Sequence, residues 1–432
     1  MSSLTITPPK GPLRGVLSLP GDKSITHRAL ILSALAEGAA TVSGYCQGED
    51  CLNTLRALQG LGIAIERQPD VLHISGQGRW GLREPTTHLD LGNSGTGFRL
   101  LTGVLASQDF FTVLTGDDSL RRRPMNRIVD PLREMGAKIS GRKGGQFAPL
   151  ALTGNRLKGV DYVAPLSSAQ VKSAILLAGL FAEGTTCFTE PQLSRDHTER
   201  LFRYFEIPLE VQGKTLVLKA HQSFKAKDLC VPGDLSAAAF FLVAGTIVPG
   251  SELMLPNVGM NPARTGIIDI LKDMGGDISV ENVREVCGEP VADLVVRAAS
   301  LKGMTIGRDR IPQTIDELPV LCVAAAFATG ETRVTGAEEL RVKETDRIRT
   351  MVTELKKLQV SIQETEDGFI IQGGATLFGG TCTSHGDHRV AMSVAIAALR
   401  ADSSVQIDDT DCIETSFPGF QGNLLELLTN SC

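Results

Sequence analysis

The sequence lacks any long hydrophobic run, and its longest apolar stretches lie near Ala237–Gly245 and Ala174–Ala182. Both are far shorter than the roughly 20 residues that a helix needs to cross a bilayer. The first residues also lack a basic segment followed by an apolar one, so no secretory signal is predicted. We therefore expect a cytoplasmic protein that has no membrane partner.

Paired cysteines are absent as well. The nine cysteines are scattered singly, with no Cys-x-x-Cys motif and no spacing typical of metal ligands. Such an odd, unpatterned set is typical of buried free thiols in a reducing compartment. The sequence contains no P-loop, Gly-x-Ser-x-Gly or His-Glu-x-x-His motif and no dinucleotide-binding fingerprint. We accordingly expect neither a metal ion nor a cofactor.

The chain also has no excess of positive charge. With 43 basic and 49 acidic residues its formal net charge is −6, which argues against nucleic acid as the main partner. Hydrophobic residues make up 42% of the chain and charged residues 21%, as in an ordinary soluble globular protein. Because 432 residues are too many for one core, we expect two or three domains.

What the sequence does contain is a unit of roughly 70 residues that recurs six times. Each copy begins with a polar turn and a helix of small apolar residues, followed by a short β-rich run, an amphipathic helix and usually another strand. The β-rich runs are predicted at Ala40–Ser43, Phe110–Leu114, Thr185–Thr189, Glu252–Leu255, Glu331–Thr335 and Ser404–Ile407. The amphipathic helices are predicted at Cys51–Leu61, Asn126–Met135, Thr198–Phe205, Thr265–Met274, Asp346–Leu358 and Gly422–Leu428.

The repeat predicts how the chain is divided. Alternating helices and short strands indicate an α/β (α+β) fold in which sheets pack on helices, with two similar domains of three β-α-β-α-β-β copies each. The segments Pro20-Gly21-Asp22 and Pro232-Gly233-Asp234 mark where the chain would cross between the domains. We therefore expect one domain from residues 1–20 plus 232–432, including the opening strand Leu4–Leu19, and one from residues 21–231.

Several helix starts carry an aspartate whose presence is explained by a structural role, that of capping the helix. Asp22, Asp234 and Asp387 each precede a helix, and each is expected to cap it. Asp316 precedes another helix, where it is either a further cap or a functional residue. His388 at the sixth start is more often structural than catalytic.

The start of the small-residue helix in the first copy differs from that in the fourth copy, which indicates that the first copy carries functional residues. The first copy has Lys23, Ser24 and Arg28 where the fourth has Leu235, Ser236 and Phe240. The fold therefore does not require the two cations of the first copy. Free backbone N–H groups at a helix start favour anions, so we interpret the three polar residues as a phosphate or carboxylate site.

The second copy offers two further anion-binding candidates. Gly92–Gly97 is a glycine-rich turn between strand and helix, which allows close backbone approach but is weak support alone. Arg121-Arg122-Arg123 precedes Pro124, and three successive arginines are most often solvated surface. An arginine fixed by a proline near such a turn is also a candidate clamp for a carboxylate or phosphate.

The stretch Arg341–Arg347 opens a helix whose buried face is predicted to be Ile348, Met351, Val352 and Leu355. Helical phase places Glu344 at the head of that face, beside Lys343 and Arg347. Charges that point inward must be paired or line a cleft. The alternative is a Glu344–Arg347 pair on a solvated surface.

Together these motifs resemble the 5-enolpyruvylshikimate-3-phosphate (EPSP) synthase family over nearly the whole chain. The resemblance is carried by Pro20–Arg28, Leu91–Arg99, Arg123-Pro124, Ser168–Gln170, Ile315–Leu318, Arg341–Arg347, Asp387–Arg389 and Ser416-Phe417-Pro418. It implies the enolpyruvyl transferase fold, with an active site in the cleft between two domains. The implied reaction transfers the enolpyruvyl group of phosphoenolpyruvate to the 5-hydroxyl of shikimate 3-phosphate and releases phosphate, in the shikimate pathway of aromatic amino-acid biosynthesis.

The resemblance also implies a role for each matching residue. The catalytic residues would be Lys23, Asp316 and Glu344, with Glu344 moving a proton at the methylene carbon and Asp316 at the 5-hydroxyl. Shikimate 3-phosphate would contact Lys23, Ser24, Arg28, Ser168, Gln170, Arg195, Asp316 and Lys343. Phosphoenolpyruvate would contact Lys23, Asn93, Gly95, Arg123, Gln170, Arg347 and Arg389. The resemblance further implies a monomer, no metal or cofactor, and inhibition by glyphosate.

Four positions depart from the better-known branch of the family. Ala169 replaces a serine before Gln170, Thr415 replaces a lysine, and Glu339 stands near the place of a substrate-binding asparagine. Arg195 lies where that branch has serine and tyrosine, so it is expected to take over the phosphate contact as in the family's other branch.

Two alternative functions remain to be compared. The related transferase that acts on a UDP-amino sugar carries a reactive cysteine in the loop equivalent to Thr115–Pro124, where this chain has arginines. A sliding-clamp-like ring of six α/β units would be expected to line its hole with lysines, which the net charge of −6 does not favour.

Overall fold

The computed structural model describes residues 2–219 and 223–429. The chain opens with two strands, β1 (Ser3–Ile6) and β2 (Arg14–Val16). The first copy of the repeat comprises α1 (Lys23–Leu35), β3 (Glu37–Ser43), α2 (Glu49–Gly60), β4 (Ala64–Arg67) and β5 (Val71–Gln77). The second comprises β6 (Leu89–Asp90), α3 (Gly95–Leu105), β7 (Phe111–Thr115), α4 (Asn126–Glu134), β8 (Lys138–Gly141), the single turn α5 (Arg142–Gly145) and β9 (Phe147–Thr153). The third comprises β10 (Asp161–Val163), α6 (Ala169–Gly179), β11 (Thr185–Thr189), α7 (His197–Tyr204), β12 (Leu209–Gln212) and β13 (Thr215–Lys219), and β14 (Leu229–Cys230) follows.

The remaining copies repeat this order. The fourth comprises α8 (Leu235–Ile247), β15 (Glu252–Gly259), α9 (Gly266–Asp273), β16 (Asp277–Val286) and β17 (Glu289–Arg297). The fifth comprises β18 (Thr305–Ile306), α10 (Ile311–Thr314), α11 (Leu318–Phe327), β19 (Glu331–Val334), α12 (Arg347–Lys357), β20 (Ser361–Glu364) and β21 (Phe369–Gln372). The sixth comprises β22 (Gly380–Thr383), α13 (His388–Ala398), β23 (Val405–Asp408) and α14 (Phe420–Thr429). Short 3₁₀ turns span Leu120–Arg122, Glu338–Val342 and Thr410–Thr415. All six predicted β-rich runs and all six amphipathic helices are confirmed, with shifts of a few residues at their ends.

In the described ranges five four-stranded sheets share one plan of pairing, and a sixth sheet, β1-β23-β22, has three strands. In the order β6-β7-β9-β8, the short edge strand is parallel to β7, β9 is antiparallel to β7, and β8 is antiparallel to β9. The first and fourth sheets borrow their edge strands from distant chain: β14 lies parallel to β3, and β2 lies parallel to β15. In the sixth sheet β1 pairs antiparallel with β23. The predicted α/β class is thereby confirmed.

The chain forms two compact units. The first unit is Gly21–Val231 with Val286–Glu289, and the second unit is Met1–Pro20, Pro232–Glu285 and Pro290–Cys432. The segment Val286–Glu289 was not predicted to join the first unit. It is the turn between β16 and β17, where Cys287 has a positive φ of 50°.

Each unit has its own hydrophobic core around three helices of small residues. In the first unit α1, α3 and α6 pack together, and in the second unit α8, α11 and α13 do so. Such helices can approach closely because they carry little bulk: a Cβ at Gly103 of α3 would lie 2.2 Å from the carbonyl oxygen of Ala174 on α6. Every residue of α8 is buried. This packing brings the polar first turns of neighbouring helices within contact distance.

The eight cysteines in the described part of the chain are free thiols, as predicted. Cys46, Cys51, Cys322 and Cys382 are buried, whereas Cys230 is exposed, so the expected burial holds for some of them only. In the described ranges no helix combines the length and the apolar character that a membrane span requires.

Candidate active site

The first helix of the first unit presents two of the predicted cations. Asp22 caps α1 by accepting a hydrogen bond from the Ile25 amide at 2.8 Å, as predicted. Lys23 Nζ lies 3.0 Å from Asp50 Oδ2. One turn further on, Arg28 Nη1 donates to the carbonyl oxygen of Ser24 at 2.8 Å. The predicted i,i+4 relation between Ser24 and Arg28 is therefore present.

The Arg28 side chain is buried and fixed on three sides. Besides its bond to Ser24, its Nε donates to Thr198 Oγ1 and its Nη2 to Ser173 Oγ, both at 2.7 Å. Burial lowers the pKa of Arg28 to about 10, although neighbouring carboxylates oppose this shift. Arg195, half-buried before α7, is close enough that its charge adds to the lowering of this pKa. The two arginines thus form one cationic patch.

The glycine-rich turn holds Asn93 against Arg123. Arg123 Nη2 donates to Asn93 Oδ1, Arg123 Nη1 donates to the Asn93 carbonyl oxygen at 3.3 Å, and Asn93 Nδ2 donates to Asp117 Oδ2 at 2.7 Å. Ser94 caps α3 by accepting from the Gly97 amide at 3.1 Å. Of the three successive arginines, Arg123 therefore faces the turn, as the clamp hypothesis requires.

Arg99 is a residue of this region that the sequence analysis did not single out. Its Nη1 donates to Gln170 Oε1 at 2.7 Å, and Gln170 Nε2 donates to Thr96 Oγ1 at 2.9 Å. A Cβ on Gly95 would lie 2.8 Å from Arg99 Nη1 and 3.3 Å from Arg123 Nη1. The signal that could have found Arg99 is its i+4 spacing from Gly95 on α3.

Ser168 begins the third small-residue helix. Its side chain accepts from the Val171 amide at 3.4 Å, which makes it the cap of α6. Gln170 lies in the first turn of that helix, so α3 and α6 meet at their polar starts. Nine predicted residues thus belong to the first unit, namely Lys23, Ser24, Arg28, Asn93, Gly95, Arg123, Ser168, Gln170 and Arg195.

In the second unit the predicted acids and cations gather around Arg347. Its side chain is 2% exposed, and Nε lies 2.8 Å from Asp387 Oδ2 while Nη2 lies 2.5 Å from Glu344 Oε2. Burial alone would lower the pKa of Arg347, but the carboxylates of Asp387 and Glu344 outweigh it and raise that pKa. Conversely, burial would raise the pKa of Asp387, and the charge of Arg347 lowers it. The solvated surface pair is therefore the wrong alternative.

The helical phase assigned to Glu344 needs correction. The helix α12 begins only at Arg347, after Asp346, whose side chain accepts from the Arg349 amide. Glu344 lies in the loop between the Glu338–Val342 turn and this helix. It reaches Arg347 because the loop folds back and not because of helical spacing. The predicted buried face of Ile348, Met351, Val352 and Leu355 is confirmed.

Asp316 completes this cluster from a neighbouring segment. Its Oδ1 lies 3.7 Å from Lys343 Nζ and 3.6 Å from Arg347 Nη1. Its carbonyl oxygen accepts from Arg389 Nη1 at 2.7 Å. Asp316 is not the cap of α11, because Glu317 occupies that position. Asp234 and Asp387, by contrast, cap their helices as predicted.

The second unit therefore brings together Asp316, Lys343, Glu344, Arg347 and Arg389. Thr415, which replaces a lysine of the better-known branch, donates to the Cys412 carbonyl oxygen at 2.6 Å in a 3₁₀ turn. No group of three or more His, Cys, Asp or Glu residues in the described ranges is arranged to hold a metal ion. The arrangement places two carboxylates, Asp316 and Glu344, beside the cations Lys343 and Arg347.

Comparison with solved structures gives the class of this fold. An EPSP synthase from Acinetobacter baumannii superimposes with a TM-score of 0.89, at 44% identity over 98% of both chains. The enolpyruvyl transferase NikO from Streptomyces tendae reaches 0.79 at 16% identity over 98% of this chain and 97% of its own, which shows a shared fold alone. The fold is therefore that of the enolpyruvyl transferases.

Sequence comparison gives the particular family. Residues 7–424 match the sequence profile of EPSP synthase (3-phosphoshikimate 1-carboxyvinyltransferase). Proteins with that second name from Geobacter metallireducens and Geotalea uraniireducens are 53% and 54% identical over 97% of this chain and 98% of their own. The chain belongs to the EPSP synthase family and is an enzyme of that class. This assignment disfavours both the UDP-amino-sugar transferase and the clamp-like ring.

Proposed function

We propose that the chain transfers the enolpyruvyl group of phosphoenolpyruvate to the 5-hydroxyl of shikimate 3-phosphate and releases phosphate. The observation that carries this proposal is the buried Arg347, whose guanidinium contacts both candidate acids, Glu344 and Asp316. A fixed cation between two carboxylates suits a reaction in which one group gains a proton while another loses one. Family membership supports the same chemistry.

Shikimate 3-phosphate is proposed to bind through its phosphate to Arg28 and Arg195. Arg28 suits this role because three hydrogen bonds fix its plane before a ligand arrives, so little ordering remains to be done on binding. The full proposed set is Lys23, Ser24, Arg28, Ser168, Gln170, Arg195, Asp316 and Lys343.

Phosphoenolpyruvate is proposed to bind at the glycine-rich turn and at the arginines of both units. Arg123 lies against Asn93, and the missing side chain of Gly95 leaves the neighbouring guanidiniums accessible to a small anion. The full proposed set is Lys23, Asn93, Gly95, Arg123, Gln170, Arg347 and Arg389. Fixed guanidiniums orient a carboxylate and a phosphate and stabilise the charge that develops on them.

The proposed reaction is an addition followed by an elimination. Asp316 takes the proton of the 5-hydroxyl while the hydroxyl oxygen of shikimate 3-phosphate bonds to C2 of phosphoenolpyruvate. At the same time Glu344 gives a proton to the C3 methylene. In the tetrahedral intermediate C3 is a methyl group. The C2–O bond to phosphate then breaks, C3 returns its proton to Glu344, and the proton from the hydroxyl leaves with phosphate. Lys23 and the arginines balance the charge of both substrates.

Release of phosphate from shikimate 3-phosphate plus phosphoenolpyruvate tests the proposal. We expect phosphate and the enolpyruvyl product in equal amounts, and no phosphate when either substrate is omitted. A UDP-amino sugar in place of shikimate 3-phosphate serves as the control acceptor. Turnover of that control alone would overturn the proposal.

Three finer properties are proposed with the activity. Glyphosate, a small anionic inhibitor, is proposed to compete for the Gly95 region. The enzyme is proposed to act as a monomer in the cytoplasm. The predicted residues of both units are proposed to act on the same pair of substrates.

A further inference from the structure

Behind Arg28 lies a buried cluster of charges that the proposed reaction does not use. Lys172 on α6 is 1% exposed, and its Nζ lies 2.9 Å from Glu190 Oε1 and 2.7 Å from Glu199 Oε1. The two glutamate side chains are 3% and 9% exposed. Buried charges cost free energy even when paired, and apolar residues of similar volume are often equally stable. The cluster therefore calls for an explanation beyond stability.

One side of the cluster fixes the segment before Arg195. Glu190 Oε1 accepts from the Ser194 amide at 3.0 Å, and Glu190 Oε2 accepts from Ser194 Oγ at 2.6 Å. Lys172 Nζ donates to the Ser194 carbonyl oxygen at 3.2 Å. The backbone on both sides of Ser194 is thus anchored to buried charges. The next residue along the chain is Arg195.

The other side of the cluster reaches Arg28. Glu199 follows Thr198 at the start of α7, and Ser173 follows Lys172 on α6. Thr198 and Ser173 share a hydrogen bond at 2.6 Å, and both accept from the Arg28 guanidinium. The Lys172–Glu199 pair therefore ties α6 to α7 at the level where the two helices hold Arg28.

We propose that Lys172, Glu190 and Glu199 are positioning residues that hold the guanidiniums of Arg28 and Arg195 in the arrangement that binds the phosphate of shikimate 3-phosphate. This inference rests on the proposed function. The cluster contains none of the residues proposed to bind substrate or to transfer protons, and its contacts run to Arg28 through Thr198 and Ser173 and to the Ser194 backbone beside Arg195, so it would act through the two arginines. Loss of the cluster is expected to weaken the binding of shikimate 3-phosphate and to leave the rate of the chemical step unchanged.

The test is a kinetic comparison of Glu190→Gln with the wild-type enzyme. The amide keeps the volume of the side chain but cannot accept hydrogen bonds at both atoms, so the Ser194 segment loses part of its anchor. We expect the KM for shikimate 3-phosphate to rise about tenfold, the effect of losing one hydrogen bond to a charged group. The KM for phosphoenolpyruvate and kcat should stay within about twofold of wild type.

A second variant and a matched control separate positioning from general destabilisation. Lys172→Met removes the central charge, and burial, which already raises the pKa of Glu199, favours the neutral form of that carboxyl group once the lysine is gone. Leu177→Ala opens a cavity at a buried residue of the same helix that belongs to neither the cluster nor the proposed site. Lys172→Met should raise the KM for shikimate 3-phosphate, whereas Leu177→Ala should lower the thermal midpoint and leave that KM unchanged.

The outcomes distinguish this inference from the proposed function. A wild-type enzyme that neither turns over nor binds shikimate 3-phosphate would contradict the proposed function itself. A fully active wild type whose Glu190→Gln variant shows an unchanged KM, or equal changes for both substrates, would overturn the positioning role alone. If Lys172→Met does not fold, Glu190→Gln decides the question.

Discussion

The predicted catalytic residues of the second unit owe their placement to one buried guanidinium. Arg347 is held by Asp387, which is fully buried and also caps α13 through the Arg389 amide at 2.9 Å. One aspartate therefore positions both a candidate ligand of phosphoenolpyruvate and the helix that carries a second one. Glu344 and Asp316 approach Arg347 from two different segments.

Glu344→Gln should abolish most turnover and preserve binding of shikimate 3-phosphate. The amide keeps a hydrogen bond to Arg347 but cannot shuttle a proton, and loss of such a group costs roughly 10²–10⁴ in rate. Single-turnover kinetics and calorimetric binding measure the two effects separately. Glu364→Gln is the matched control, since Glu364 pairs with Arg341 at 2.8 Å outside the candidate site. Normal turnover of Glu344→Gln would remove this residue from catalysis.

Gly95→Ala should weaken inhibition by glyphosate and raise the KM for phosphoenolpyruvate. The new methyl group would stand 2.8 Å from Arg99 Nη1 and 3.3 Å from Arg123 Nη1, so both side chains must shift. The inhibition constant is expected to rise at least about tenfold, because a change of about 1.4 kcal/mol suffices. Gly422→Ala, whose added methyl group would meet nothing within 4 Å, should change neither constant. An unchanged inhibition constant in Gly95→Ala would show that this glycine does not border the inhibitor.

At the residue scale, the sequence analysis predicted charged residues at helix starts. It did not predict the buried residues that hold those charged side chains in place. Lys23 and Arg28 could be recognised because another copy of the repeat lacks them. Arg99 and Lys172 lie inside helices, and their partners Gln170 and Glu190 are distant in sequence or on another element. Periodicity alone does not show which long-range pair a buried cation will form.

His27 of α1 links this helix to α2 and to the N-cap of α3 in the first unit. His27 Nδ1 shares a hydrogen bond with Thr54 Oγ1 at 2.8 Å, and Nε2 approaches Ser94 Oγ, the cap of α3, at 3.4 Å. Burial, followed by the charges of Lys23 and Arg28, lowers the pKa of His27 well below 6.5. The ring is therefore neutral in the folded protein at neutral pH.

This neutral ring makes stability depend on pH in a defined direction. Below pH 6.5 the unfolded chain binds a proton at His27 and the folded chain does not, so stability falls as the pH decreases. The slope from this group is at most about 1.4 kcal/mol per pH unit. His27→Asn keeps a partner for Thr54 and should remove this part of the loss, measured as thermal midpoints between pH 7 and pH 5. Equal slopes in both proteins would contradict a neutral His27.

The positions of elements were largely predictable, whereas some of their partners were not. A period of 3.6 residues located α12 because its buried face is strongly patterned. Glu344 was misplaced because the loop before that helix mimics helical spacing. The edge strands β2 and β14 have three and two residues and pair with strands that are distant in sequence. Such short strands cannot be predicted from a local sequence pattern.

At the scale of the whole molecule, repetition provides the scaffold and differences between copies provide the chemistry. Each unit encloses its own core, and each carries part of the predicted residue set. The first unit holds Lys23 and Arg28 on α1, Arg123 against the turn that precedes α3, and the uncharged polar residues Ser168 and Gln170 at the start of α6. The second unit holds both candidate acids. Neither unit alone carries a complete set for the proposed reaction.

A fragment of residues 21–231 should therefore fold without being active. It retains the core of the first unit but loses Glu289, a buried residue whose Oε1 lies 2.8 Å from His197 Nδ1. We expect a cooperative thermal transition at a lower temperature than in the full chain, since His197 loses its partner at the start of α7. Shikimate 3-phosphate should raise that midpoint because Arg28 and Arg195 are present, while phosphate release should be undetectable because Asp316 and Glu344 are absent. A fragment containing Arg28→Ala controls for specific binding, and an equal rise of its midpoint would assign the effect to the ligand's ionic strength. A fragment that never folds would show that the core of the first unit depends on chain beyond residue 231.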